Sequence, residues 1–261
     1  MDITSLQNPR VKYLVKLRED KKQRKQDGLM LVEGFDEITL ALTAGYEPQT
    51  LLTAPELATR QIDFSAPENI TVNRAVFEKI SYRDNPDGWL AVFPTPKVSL
   101  EDLRLGLSPL LIVAESVEKP GNLGAILRTA DAARADALIV CDPRTDIYNP
   151  NVVRASRGTL FTVPTVEADS AGTLSFLRRN GIRILAATPQ AVSLYTDQDL
   201  RGPLAVVVGT EDRGLTGLWL DEADIQVRIP MLGKVNSLNV SIATALIVYE
   251  AVRQRGTKDA I

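Results

Sequence analysis

Three short segments in the C-terminal half of the chain combine glycine turns with polar side chains suited to binding or chemistry. The first is Gly121-Asn122-Leu123-Gly124-Ala125-Ile126-Leu127-Arg128-Thr129-Ala130. It follows an apolar run and opens a helical pattern. Asn122 and Gly124 suit a tight turn, where Asn can cap the following helix. Arg128 lies six residues after Asn122, about one and two-thirds helical turns, near enough for both to border one cleft. The second segment is Val206-Val207-Val208-Gly209-Thr210-Glu211-Asp212-Arg213-Gly214-Leu215. A buried-strand pattern ends there in a glycine-punctuated loop, the kind of place where α/β sheets bind ligands. Glu211 can accept hydrogen bonds from a ribose or fix another site residue. The third is Ile229-Pro230-Met231-Leu232-Gly233-Lys234-Val235-Asn236-Ser237-Leu238-Asn239-Val240. Ser237 is a natural N-cap for the last helix, and Asn239, a poor helix former, has an amide available for a second duty. Taken singly, each segment also fits an ordinary structural turn.

The rest of the composition narrows the chemistry. The 261 residues include no histidine and one cysteine, Cys141. That excludes imidazole-based triads and dyads, HExxH proteases and the usual Cys/His zinc sites, so no metal site is expected. A lone cysteine forms no intrachain disulfide and fits a reducing compartment. The first residues lack the apolar core of a signal peptide, and no stretch approaches the ~18–20 apolar residues of a membrane span. The expectation is a soluble cytoplasmic protein with no membrane partner. Net charge is −3, but unevenly spread. The stretch from Arg10 to Lys25 carries +6 and the remainder −9. Such a basic stripe fits a phosphate footprint and equally a solvated surface helix.

The elements that must position these residues follow from periodicity. Asn8-Pro9 starts a helix that Asp27-Gly28 stops. Leu29–Val32, Thr50–Thr53, Ile70–Val72 and 88–93 read as strands, with helices over Glu33–Ala44 and Arg74–Ile80. The proline-rich stretch 94–109 reads as a linker with a short helix inside it. Beyond it, Leu110–Ala114, Ala137–Cys141, Ile182–Ala187, Leu204–Val208 and Ile225–Ile229 read as strands. Helices are expected over Leu123–Ala135, Asn149–Arg157, Ala171–Asn180 and Ser237–Arg255. This alternation implies an α/β fold with a mostly parallel sheet covered on both faces. The domains are 1–93, a linker at 94–109, and 110–261.

In their order and contexts, NLGAILRTADA, VVVGTEDRGL and IPMLGKVNSLNVSIATALIVYEA closely resemble the three signature motifs of the SpoU/TrmH RNA ribose 2′-O-methyltransferases of the SPOUT superfamily. QDGLMLVEGFDEITLAL resembles the entry strand and helix of the small ribosomal-protein-like RNA-binding domain that precedes many such enzymes. The resemblance implies a C-terminal parallel-sheet domain with a deep trefoil knot, S-adenosyl-L-methionine as cofactor, RNA as partner and a homodimer formed through the C-terminal domain. By position it implies cofactor contacts from Gly209, Ile229 and Leu238, with Thr210 and Met231 on the same wall. It makes Arg128 the leading catalytic residue, supported by Asn122, Glu211, Ser237 and Asn239. A guanidinium stays protonated at neutral pH, so its expected role is to grip a phosphate and stabilise the developing 2′-oxyanion rather than to act as a base. Arg10, Lys12, Lys21, Lys22, Arg24 and Lys25 become RNA-binding candidates, helped by Arg144, Arg154 and Arg157.

The auxiliary N-terminal domain points to ribosomal RNA as substrate, with transfer RNA as the alternative. A non-catalytic RNA-binding or ribosome-assembly factor of the same fold is a second class of reading. The set Asn122, Arg128, Glu211, Ser237 and Asn239 argues against it. A dinucleotide-dependent enzyme of Rossmann type is a third, and the absence of GxGxxG argues against that.

Overall fold

The computed structural model describes residues 1–64, 66–210 and 212–256. The first part of the chain runs β1 (Asp2–Ile3), α1 (Pro9–Glu19), α2 (Lys21–Asp27), β2 (Leu29–Glu33), α3 (Phe35–Thr43), β3 (Thr50–Thr53), β4 (Glu68–Val72), α4 (Arg74–Ile80) and β5 (Trp89–Pro94). After a 3₁₀ turn at Leu100–Asp102 come β6 (Leu110–Glu115), α5 (Pro120–Ala132), β7 (Ala137–Cys141), α6 (Pro150–Ser156) and β8 (Thr165–Ala168). The chain continues through α7 (Ser170–Arg179), β9 (Arg183–Ala187), β10 (Ser193–Leu194), β11 (Leu204–Val208), α8 (Gly217–Glu222), β12 (Ile225–Arg228) and α9 (Val240–Arg255).

These elements form two compact units. The first contains Met1–Lys97 together with Asp146–Thr162. Its five-stranded sheet has the order β1-β4-β3-β5-β2, with β5 antiparallel to both β2 and β3. The core is built from Leu14 and Leu17 of α1, Leu31, Leu52, Ile70 and Leu90 of the strands, and Phe77 of α4. The segment 146–162, expected in the C-terminal domain, packs here. Phe161 meets Tyr46 edge-on, with ring centroids 5.2 Å apart, and lies 6.0 Å from Phe93. The single helix expected up to Asp27 is two. Asp20 is extended, and its carboxylate accepts from Lys22 N at 2.7 Å, so it caps α2 and breaks the run. Pro9 opens α1 behind the Asn8 cap as expected.

The second unit comprises Val98–Thr145 and Val163–Ile261. Its seven-stranded sheet, β10-β12-β9-β11-β6-β7-β8, is parallel at every pairing. The parallel α/β architecture read from the alternating pattern is thus observed. From β6 the chain winds to β7 and β8 on one side, then returns to build β9, β11 and β12 on the other. The adjacent strands β6 and β11 therefore flank a topological switch point, where the following loops diverge and leave a crevice. Strand β8 and helix α8 are additions to the sequence-based reading. Their segments are too short to show a clear period. The strands are continuous apolar runs because both faces of the sheet are covered; Leu111, Val113, Ile139, Ile184, Val207 and the fully buried Trp219 fill one layer.

Candidate active site

Two of the three polar segments adopt a different local structure from the one expected. Helix α5 begins at Pro120, not Leu123, because proline's fixed φ suits the first helical position. Asn122 and Gly124 therefore sit inside the first turns of α5, and Asn122 does not cap it. Helix α9 begins at Val240, with Asn239 rather than Ser237 as its N-cap. Asn239 Oδ1 accepts from Ser241 N at 2.9 Å and from Ser241 Oγ at 2.6 Å. Its Nδ2 donates to Asn122 Oδ1 at 3.0 Å. The second duty expected of the Asn239 amide is this bridge, which joins the starts of α5 and α9 across 117 residues of chain.

The loops after β9, β11 and β12, closed below by α9, enclose a cavity of about 430 Å³ at the carboxyl ends of the strands. Gly209, Thr210, Ile229, Met231, Ser237 and Leu238 all line it. The sequence singled these out from separate segments, and the fold brings them to one wall. Gly209 is required there. A Cβ on it would overlap the backbone carbonyl of Gly214, because the loop folds back as a two-residue bridge. Thr210 N donates to Gly214 O at 3.2 Å and Gly214 N to Thr210 O at 3.0 Å. Gly214, at φ +69°, supplies the left-handed turn that closes the bridge. Glu211, expected among the polar residues that support catalysis, lies outside the described residues.

Arg128 and Asn122 do not line the cavity. With both on α5, six steps of helix separate their side chains by about 120° around the axis, so the two leave the helix in different directions. Asn122 is buried, whereas Arg128 is exposed and makes no hydrogen bond or ion pair among the described residues.

Sequence reasoning missed several contributors. Glu115, 2% exposed at the end of β6, accepts from Thr216 N at 2.9 Å and Thr216 Oγ1 at 2.7 Å. It pins the far end of the loop that Gly209 begins. The only sequence signal was a carboxylate closing an apolar strand. Thr188, Pro189 and Gln190, following β9, and Ala243 and Ile247 of α9 complete the cavity wall. Cys141 is not part of the site. Its thiol is buried beneath the sheet, and burial pushes its pKa up to about 12. Among the described residues no group of His, Cys, Asp or Glu is arranged to hold a metal ion, and no helix is long and apolar enough to cross a membrane.

The basic stripe divides by residue type. Arg24 is 2% exposed, so it does not face solvent as an RNA contact would require. Its guanidinium pairs with Asp146 at 2.7 Å and donates to the carbonyls of Leu17 and Arg18, both at 2.8 Å. Arg10 pairs with Glu68 and donates to Thr50. Lys12, Lys22 and Lys25 are exposed and Lys21 is half-buried. None of these lysines forms an ion pair among the described residues. Arg144 pairs with Glu118.

Comparison with known proteins places both units. The SpoU rRNA Methylase family matches residues 109–249, and the MRM3-like substrate binding domain matches residues 8–91. A 23S rRNA (guanosine-2′-O-)-methyltransferase of Pseudomonas putida is 39% identical over 165 residues, which is 62% of this chain and 66% of that protein. A crystal structure of an RNA 2′-O ribose methyltransferase is similar with a TM-score of 0.86 and 41% identity, covering 97% of this chain and 99% of that one. The AdoMet-bound rRNA methyltransferase of Sinorhizobium meliloti gives a TM-score of 0.88 at 31% identity, covering 97% of each chain. The chain belongs to the SpoU rRNA methylase family of S-adenosylmethionine-dependent RNA ribose 2′-O-methyltransferases.

Proposed function

We propose that this chain methylates a ribose 2′-hydroxyl of ribosomal RNA, with residues 110–145 and 163–261 catalysing transfer, 1–93 together with 146–162 binding RNA, and 94–109 linking them. The observation that carries this reading is the cavity itself. Six residues singled out from sequence line one cavity of about 430 Å³, within the size range of small-molecule and cofactor sites. Its lining is largely apolar side chains and loop residues, and the glycine at 209 lets the backbone of Gly214 fold in close beside it. That donor set suits a cofactor recognised through loop N–H and C=O groups.

S-adenosylmethionine, when bound, supplies a methyl group activated on sulfonium. The chain's own residues position the acceptor. The backbone at Gly209, Ile229 and Leu238 would hold the cofactor, with Thr210 and Met231 beside them. Arg128 grips the phosphate next to the reacting ribose and stabilises negative charge developing on the 2′-oxygen. Asn122 and Asn239 lock the starts of α5 and α9 so that Arg128 and the cavity wall keep their places. Ser237 and Glu211 are the polar groups proposed to orient the ribose.

Arg128 stands outside its own chain's cavity, which supports a site completed by a second copy. Ile242, Leu246 and Tyr249 form an exposed apolar stripe along α9, at 51%, 38% and 47% exposure. Their spacing of four and three residues puts them on one helix face, suited to a two-fold homodimer. The reading includes the knotted C-terminal segment implied by the family and a cytoplasmic location.

The test is Arg128→Ala. Calorimetry should show S-adenosylmethionine binding retained, while methyl transfer to ribosomal RNA from a strain lacking the gene falls by about 10²–10³-fold, as for loss of an oxyanion-stabilising donor. Near-normal turnover would remove Arg128 from the mechanism.

A further inference from the structure

The reaction described above makes no use of a second cleft, which lies in the first unit between the end of α4 and the start of α6. It encloses about 420 Å³ and is lined by Arg18, Glu19, Ser81, Tyr82, Asn149 and Asn151. Several of these side chains build its walls. Arg18 donates to the carbonyls of Lys79 and Ile80 at 3.2 Å and of Ser81 at 2.6 Å, closing the end of α4. The Tyr82 hydroxyl donates to Asn151 Oδ1. Asn149 Oδ1 caps α6 by accepting from Asn151 N at 2.8 Å.

What these bonds leave over is specific. Asn149 Nδ2 has no partner among the described residues. Glu19 is 62% exposed beside the cleft, its carboxylate partly spent on Arg18. Arg154 is exposed, forms no hydrogen bond or ion pair among the described residues, and sits with its guanidinium 5.8 Å from the centre of the half-buried Tyr82 ring. An aromatic side chain, an amide donor and a carboxylate acceptor therefore line one cleft, and an unpaired cation lies beside its tyrosine. A phosphate cradle would be lined by cations and N–H groups, and a carboxylate would repel its ligand. A nucleobase is matched instead. Its π-face stacks on tyrosine, its edge offers both acceptors and amino donors, and its flanking phosphate suits an arginine.

We propose that this cleft holds one unpaired nucleobase of the RNA substrate. The base stacks against Tyr82, Asn149 Nδ2 donates to a ring or carbonyl acceptor, Glu19 accepts from an amino group, and Arg154 binds the adjoining phosphate or stacks on the base. This rests on the RNA-methyltransferase reading and adds to it a base-reading site beside the lysine stripe.

The test measures binding of the full chain to short single-stranded oligonucleotides of A, C or U and to a blunt RNA duplex of the same length. Tyr82→Ala and Arg154→Gln should each weaken single-strand binding by about tenfold and leave duplex binding unchanged. Tyr82→Trp should retain single-strand binding, which separates loss of stacking from loss of fold. Asn149→Asp keeps an acceptor for the α6 cap but removes the donor, and should change the order of affinity among A, C and U. The proposal is overturned if single-strand and duplex binding fall together in Arg154→Gln, or if Asn149→Asp and Arg154→Gln both bind single strands as the parent does. Failure of the parent chain to bind S-adenosylmethionine and transfer its methyl group would instead overturn the methyltransferase reading.

Discussion

The two units place their polar chemistry by opposite means. The second builds its candidate site from glycine, carboxamides and backbone, with the cavity wall set by where parallel strands end. The first carries the densest charge in the chain, yet much of that charge holds the fold together. Arg10, Arg18 and Arg24 each spend the guanidinium fork on several acceptors within the unit. Lys12, Lys16, Lys21, Lys22 and Lys25 form no ion pair among the described residues. The difference is chemical. A planar guanidinium satisfies two or three fixed acceptors at once and is less strongly hydrated, so it can be buried when paired; an ammonium prefers water. Counting a basic stripe from sequence thus adds together two kinds of cation, and only the lysines are left for a partner.

The division between structural arginines and solvent-facing lysines is tested hardest at Arg24. If it is structural, Arg24→Ala leaves Asp146 buried without its partner and should cost about 3–5 kcal/mol, read as a lower urea midpoint for the unit. Replacing both partners, Arg24→Met with Asp146→Leu, should recover much of that loss, since a buried pair is often matched by packed apolar groups. An Arg24→Ala chain of parent stability but weakened RNA binding would reverse the assignment.

The corresponding probe in the second unit is Gly209→Ala. The added methyl must displace the Gly214 backbone, and overpacking of this kind costs about 1–3 kcal/mol. Where that strain falls on the cofactor loop, affinity for S-adenosylmethionine should drop by about five- to 150-fold by calorimetry. Parent-like affinity would show that the Thr210–Gly214 bridge does not shape the binding wall.

These two residues also mark how far the sequence could be read. Gly209 was legible as a loop glycine because it follows directly on a run of valines, and as a cofactor contact only through the resemblance of its segment to a family motif. The parallel sheet was legible because apolar runs alternating with helical patterns leave few topologies. Arg24 was not legible. Its partner Asp146 lies 122 residues away, in a segment assigned by sequence order to the other domain. The Asn122–Asn239 bridge and the Glu115–Thr216 hydrogen bonds were hidden likewise, because they depend on which distant elements become adjacent. The helix starts at Pro120 and Val240 were misread locally. At each, a plausible cap stood near the true one, and the turn before it had no apolar period to fix the boundary.

A smaller effect is expected from the lysines. Changing Lys12, Lys21, Lys22 and Lys25 to Gln should weaken RNA binding and flatten its dependence on salt by about 0.7–0.9 logarithmic units for each phosphate no longer neutralised. Arg10→Gln should leave that slope unchanged, because Arg10 is already held by Glu68 and Thr50. Equal slopes for the parent and the lysine variant would return the stripe to the role of a solvated surface.

The smallest effect tests whether an exposed arginine in the second unit also serves the fold. Asp224 accepts from Ile184 N at 2.7 Å and from Arg178 at 2.7 Å, tying α7 to the start of β9. Burial pushes its carboxyl up, but the Ile184 N–H and the Arg178 guanidinium outweigh that and hold it below the ordinary carboxylate range. A carboxyl depressed on folding stabilises the folded state above its unfolded pKa of ~3.9. That stabilisation is lost as pH falls through the lower, folded value, because protonation then favours the unfolded chain. Asp224→Asn should therefore unfold more readily in urea than the parent at pH 7, and the gap should close below about pH 4. The side chain is 33% exposed, so water screens the pair and the gap should stay within about 1 kcal/mol. A gap that persisted unchanged in acid would mean the charge contributes nothing, leaving the Ile184 hydrogen bond, which Asn can still accept, and side-chain packing as the candidates for what holds α7 to the sheet.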